Sequence, residues 1–238
     1  LRCLTPPLKS LVKTIRIPPR PSLLIDVQKE LSVAEPNPRI LAKIIADDVA
    51  MSASLLKLTN SSFFGLRLKA KSVEHAVNLL GLEQCGLLMT GIIARQTVGS
   101  SGSALVEFWN FSTKRAQAIA YLSRGFPVCT TDAAHTFGLF CDIGVPLLLE
   151  RFPDYPTTLT AANAEFEEAF TSIEDQRHMT NHASIGSLMA RTWGLPEEVF
   201  TAILLHPYYQ VLDESATDES IKGRIARALW AGSALQQY

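Results

Sequence analysis

Asn37-Pro38-Arg39-Ile40-Leu41-Ala42-Lys43-Ile44-Ile45-Ala46-Asp47-Asp48 holds a whole helix together with its punctuation. Asn37 and Pro38 read as N-cap and first helical residue, because Asn can accept an orphan N–H and Pro has none to lose. Ile40, Leu41, Ile44 and Ile45 follow at helical spacing and mark one apolar face. Asp48 caps a second helix that carries Met51, Leu55 and Leu58 and stops at Asn60-Ser61-Ser62-Phe63-Phe64-Gly65. The same grammar continues outward. Ser72 opens a helix with Glu74 in its first turn and Val73, Ala76, Val77 and Leu80 inward. Gly81 breaks it, and a strongly apolar helix follows from about Glu83 to Arg95. Beyond the small-residue linker Gly99-Ser100-Ser101-Gly102-Ser103, a long helix runs from about Leu105 to Arg124 and ends at Gly125-Phe126-Pro127. Asp132 caps the segment that reaches Cys141-Asp142, and Asn181 caps His182 to Trp193, with Gly194 closing that helix. Pro196-Glu197-Glu198 is a further start, and Ile221, Ile225 and Leu229 stripe a last helix. No alternating strand pattern and no hairpin turn interrupts the series. The expected fold is all-α.

At 238 residues, 47% of them hydrophobic and 19% charged, the chain has the composition of a globular protein with a sizeable core. A formal charge of −1 gives no general attraction to nucleic acid or anionic lipid. Arg2, Lys9, Lys13, Arg16 and Arg20 precede the first acid, Asp26, so the start reads as a basic arm or solvated linker. Cys3, Cys85, Cys129 and Cys141 form no Cys-x-x-Cys pair, which favours reduced thiols over a disulfide framework or zinc ribbon. No apolar run is expected to reach the ~20 residues of a membrane span. The chain lacks an initiator Met and is expected to be a fragment of something longer.

Several pieces, in this order, resemble the HDOD family, the HD-related output domain of bacterial signalling proteins. Ile17-Pro18-Pro19-Arg20-Pro21 resembles its Pro-rich opening, and Leu58-Thr59-Asn60-Ser61-Ser62-Phe63-Phe64-Gly65 its most specific turn. Ser72 to Leu82 resembles the helix and turn that follow. His182 to Glu198, with His206 in Leu204-Leu205-His206-Pro207, is similar to its closing section. The resemblance implies a multi-helix bundle with an HD-like core, a 17–211 domain flanked by an N-terminal arm over 1–16 and a packed C-terminal helix over 212–238.

The resemblance also implies a site, because HD-type phosphohydrolases collect metal ligands from a His-Asp pair and further helical histidines. Here that pair is Cys141-Asp142, and the downstream histidines are His182 and His206. The position of a first histidine ligand aligns with Phe111 in Phe108-Trp109-Asn110-Phe111-Ser112, whose ring is expected to occupy the space of a hydrated ion. A lysine expected soon after Asp-Ile-Gly is replaced by Val145-Pro146, and Cys141 to Glu150 contains no Lys or Arg to hold a phosphate. Asp142, His182 and His206 are enough on paper for one Zn, Fe or Mn with open positions. Cys141 could add a thiolate, a softer ligand that favours Zn; the alternative is that Asp142 caps a helix and the histidines are satisfied by hydrogen bonds, with Cys141 a small buried hydrophobe.

No other histidine completes the set. His135 lies seven residues before Asp142, on the same face but ~10 Å along a helix axis. His178 and His182 have the spacing of a zinc pair, yet Thr180-Asn181 reads as a cap that leaves His178 outside the helix, and His75 is a lone helix histidine expected on the surface or as a polar rim to the core. Ser72 to Ile93 is better read as a buried hairpin than as a helix-turn-helix, since Leu87, Leu88, Met89, Ile92 and Ile93 leave almost nothing to read a groove. The expected function is therefore a non-catalytic, cytoplasmic signal-transduction module that binds a protein partner or regulatory ligand, with no cofactor, nucleic acid or membrane. The alternative is a metal-dependent phosphohydrolase acting on a nucleotide or phosphodiester, with Asp142 the central ligand of one weakly bound Zn, Fe or Mn.

Overall fold

The computed structural model describes residues 15–61, 68–99, 103–123, 130–165 and 169–208. Among these, all regular structure is α-helical, in twelve helices. They fall into two compact units, Arg20–Ser100 and the remainder of the chain. The basic arm, the rings of Phe63 and Phe64, and the helix expected around Ile221, Ile225 and Leu229 lie outside the described residues.

The first unit contains α1 (Ser22–Leu31), α2 (Pro38–Ala46), α3 (Val49–Thr59), α4 (Val73–Leu80) and α5 (Leu82–Val98). The caps read from the sequence are present: Asn37 accepts from Arg39 N–H at 2.9 Å, Asp48 from Met51 N–H at 3.0 Å, and Ser72 from His75 N–H at 3.1 Å. Leu24, Leu41, Ile45, Leu55, Met89 and Ile93 are buried together, each contributing about 1.5–3 kcal/mol of apolar burial. Ile40 is not part of this core; it is 47% exposed, because the apolar stripe of α2 is centred on Leu41 and Ile45. Asn60 ends α3 with a reciprocal pair, its side chain donating to Ala70 C=O at 2.9 Å and accepting from Ala70 N–H at 2.7 Å. Gly81 takes φ +83°, which turns the chain sharply into α5, whose Met89, Thr90, Ile92 and Ile93 are buried. A groove-reading helix is ruled out by that burial.

The second unit holds α6 (Ser103–Ser123), α7 (Thr131–Phe140), α8 (Gly144–Arg151), α9 (Tyr155–Ala164), α10 (Phe170–His178), α11 (His182–Thr192) and α12 (Glu197–Leu205). The cap of α7 is Thr130, which accepts from Ala133 N–H at 3.2 Å; Asp132, expected in that role, lies inside the helix. Asn181 caps α11 through Ser184 N–H at 2.8 Å. At the other end Gly194, at φ +71°, closes a Schellman motif: Leu195 N–H bonds Ala190 C=O and Gly194 N–H bonds Arg191 C=O, each at 3.0 Å. α7 packs on α6 and α12, and α11 packs on α8 and α12. Trp193, fully buried, donates from Nε1 to Pro18 C=O at 3.0 Å and so ties the Pro-rich opening to α11.

Ala133–Arg151 is long and apolar enough by composition to cross a membrane, contrary to the sequence reading. Most of it is buried inside the fold, and the turn at Cys141–Ile143 breaks it in two. That turn is where the polar chemistry gathers.

Candidate functional site

Asp142 sits in the turn between α7 and α8, with its carbonyl accepting from Val145 N–H at 2.9 Å. Gly144 follows at a crossing so close that a Cβ would lie 2.8 Å from His182 Cα and nearer still to its carbonyl oxygen. Gly186, one turn into α11, repeats the approach, since a Cβ there would meet Gly144 N at 3.3 Å. These two glycines let α8 and α11 start against each other, which brings the Asp142 carboxylate to His182.

His182 is the first residue of α11 and is held by Glu174 of α10. Its backbone N–H lies 3.2 Å from Glu174 Oε1, and its Nδ1 lies 2.7 Å from Oε2. His206 caps α12, with Nδ1 2.7 Å from the carbonyl of Ile203. Both Nδ1 atoms face acceptors and therefore carry hydrogen, so both Nε2 atoms turn inward. They lie 3.2 Å apart, and Asp142 Oδ1 is 3.3 Å from that of His206 and 3.6 Å from that of His182. Cys141 adds its sulfur at 3.6 Å from Asp142 Oδ1.

The cation beside Asp142 comes from inside the protein. Arg115, on α6 and only 6% exposed, donates Nη1 to Asp142 Oδ2 and Nε to Gly138 C=O, the latter at 2.7 Å. Glu174 is fully buried and also accepts from the Tyr155 hydroxyl. Burial works against ionising Asp142, but the Arg115 guanidinium beside it, with His206 and His182, holds its carboxyl well below the ordinary range. Burial likewise works against protonating His206, yet the Cys141 sulfur and the Asp142 carboxylate outweigh it and hold its pKa well above the usual value. Arg115 thus brings a buried positive charge directly onto the Asp142 carboxylate. A proton on His206 Nε2 also relieves two imidazole lone pairs and a carboxylate oxygen that would otherwise point at one another.

Asp142, His182 and His206, expected from the sequence, do come together. Phe111 does not fill their space; it is 54% exposed on the outer side of α6. One turn later Arg115 faces inward and supplies the cation that the Cys141–Glu150 segment lacks. The sequence reading did not include it, although an arginine among Trp109, Ser112, Ala116 and Ile119 at helical spacing is a signal. Glu174 and Tyr155 were also missed. His178 ends α10, outside α11 as expected, and bonds Thr158 Oγ1 at 2.8 Å while lying 4.5 Å, centroid to centroid, from the Phe152 ring. His135 is buried with Nδ1 lacking a hydrogen-bond partner among the described residues, and His75 is half-buried.

A metal is the group that such a site implies. The three inward atoms are spaced at 3.2, 3.3 and 3.6 Å, close to the roughly 3.3 Å edge of a tetrahedral Zn site. The anchored Nδ1–H groups are also what ligating histidines need. One feature does not fit: Asp142 already shares itself with a buried guanidinium, which would repel a dication on the same carboxylate.

Comparison with known proteins agrees with the architecture. The HDOD domain family model matches residues 17–209. An uncharacterised protein of Treponema pallidum (strain Nichols) is 27% identical over 195 residues, covering 80% of this chain and 37% of that protein. This chain therefore spans little more than a third of that relative's length. A candidate phosphohydrolase from Shewanella amazonensis superposes with TM-score 0.74 at 18% identity, covering 97% of this chain and 81% of its own. A candidate signal transduction protein from Marinobacter aquaeolei does so with TM-score 0.75 at 20% identity, covering 97% and 54%. At those identities the likeness is one of fold.

Proposed function

Because the chain belongs to the HDOD family, we propose that it is a non-catalytic signal-transduction module of the cytoplasm, acting through a protein partner or regulatory ligand rather than through turnover. One observation supports this reading above the others: every carboxylate oxygen of the cluster is already engaged. Asp142 Oδ2 is taken by Arg115, and Oδ1 faces His206, His182 and the Cys141 sulfur. Glu174 gives Oε1 to Tyr155 and to the His182 N–H, and Oε2 to His182 Nδ1. A hydrolytic centre needs a ligand set with an open position for water. A closed hydrogen-bonded network instead fixes how α6, α7, α8, α10, α11 and α12 meet, which suits a rigid scaffold for docking.

A metal-dependent phosphohydrolase is the second reading, favoured by the spacing of the three inward atoms. The two are separated by loading the purified protein with Mn(II), Fe(II) or Zn(II) and assaying cyclic dinucleotides and a generic phosphodiester. No metal-dependent turnover is expected. Turnover abolished by Asp142→Ala would overturn the module reading.

A further inference from the structure

Arg115 is the feature of this cluster that lies outside both the Cys141–Glu150 segment and the stretches that carry the family resemblance. Its guanidinium is buried, bridges Gly138 C=O on α7 to Asp142 in the following turn, and leaves Nη2 without a hydrogen-bond partner among the described residues. A long charged side chain is seldom taken this far inside unless an opposite charge holds it there. Around it the three inward atoms keep the spacing of a metal-ligand triangle, and both imidazoles keep the outer hydrogen bonds of metal ligands.

We propose that Arg115 is a built-in cation standing in for a divalent metal, and that it bars transition metals from the Asp142–His182–His206 triangle. Once the guanidinium is gone, the Asp142 carboxylate is released from its ion pair and can ligate a divalent ion. With Arg115 in place the same ion adds a repulsive neighbour on the carboxylate it must share, in an interior that screens poorly. The ligand of the opened site is a borderline ion that takes nitrogen and carboxylate oxygen together, such as Co(II) or Zn(II), rather than Mg(II). The inference rests on the module reading, in which the cluster holds no metal, but its test is independent of any activity.

Three forms of the full chain decide it: wild type, Arg115→Gln, which removes the charge and keeps a polar side chain, and Arg115→Lys, which keeps the charge. Each is titrated calorimetrically with Co(II), followed by the visible d–d bands of the bound ion. Arg115→Gln is expected to take up one Co(II) ~10- to 100-fold more tightly than wild type, while Arg115→Lys stays at the wild-type level. Adding Asp142→Asn to Arg115→Gln should erase the gain. Wild type binding Co(II) as tightly as Arg115→Gln overturns the proposal, and so does an equal gain in Arg115→Lys, which would make bulk rather than charge responsible. Should Arg115→Gln fail to fold alone, refolding from urea is compared in Co(II) and Mg(II). Recovery in Co(II) only supports the proposal, and no recovery in Co(II) overturns it. Turnover by metal-loaded wild type would sink the module reading yet leave this affinity comparison readable by itself.

Discussion

Gly144 lies against the backbone of His182 so closely that no side chain fits between them. The relationship makes a two-atom question of the Asp-Ile-Gly turn. Asp142 reaches His182 only because the residue two positions later has no Cβ.

Gly144→Ala should therefore separate α8 from α11 and destabilise the protein by about 1–3 kcal/mol, since the obstacle is backbone and cannot swing away. Urea denaturation measures this. The same experiment on Gly186→Ala should give a smaller loss, because its added Cβ would meet neighbours at 3.3 Å. Equal, negligible losses would show that the crossing relaxes freely.

Glu174 is the anchor of His182, and its removal leaves a histidine and a tyrosine hydroxyl buried without their acceptor. Glu174→Ala should cost about 3–5 kcal/mol. Tyr155→Phe, which deletes a single hydrogen bond to a charged group, should cost about 1.5–3 kcal/mol. Thermal or urea unfolding of both variants against wild type checks the order.

His135 gives a pH dependence of known sign. Burial lowers its pKa from 6.5 to about 4, so the unfolded chain takes up a proton that the folded one refuses. Stability from this residue is complete above about pH 6.5, falls as pH drops towards about 4, and is level below that, a loss of roughly 3 kcal/mol. In His135→Leu that part of the slope should vanish. Urea midpoints of the two proteins at pH 7.5 and pH 5 give the difference, from which the acid sensitivity of Asp142, common to both, cancels.

Asn60 closes the end of α3 through both the NH2 and the C=O of its side-chain amide, each bonded to Ala70. Asn60→Ala should cost about 1–2 kcal/mol for two lost hydrogen bonds. Faster amide exchange at Ala70 would locate the damage. An unchanged exchange rate would mean that the turn holds without it.

Local grammar was legible in the sequence at most helix ends, the cap of α7, which is Thr130 and not Asp132, being an exception. Asn37, Asp48, Ser72 and Asn181 cap the helices that follow them, and Gly81 and Gly194 take the positive φ that ends a helix, because capping is settled within a few residues. The set Asp142, His182 and His206 was legible too, through its resemblance to a site built on the same scaffold. Tertiary structure alone decided what those residues became. Arg115 meets Asp142 across 27 positions and Tyr155 meets Glu174 across 19, and no helical period states which faces will oppose each other at such distances. Phe111 shows the same limit from the other side: it is apolar, sits where a ligand was expected, and points outward because the turn of α6 that carries it is spent on burying Trp109, Ser112 and Arg115. Periodicity fixes which residues share a face. Only the packed bundle determines which partner that face receives, and here the partner was a cation from another helix.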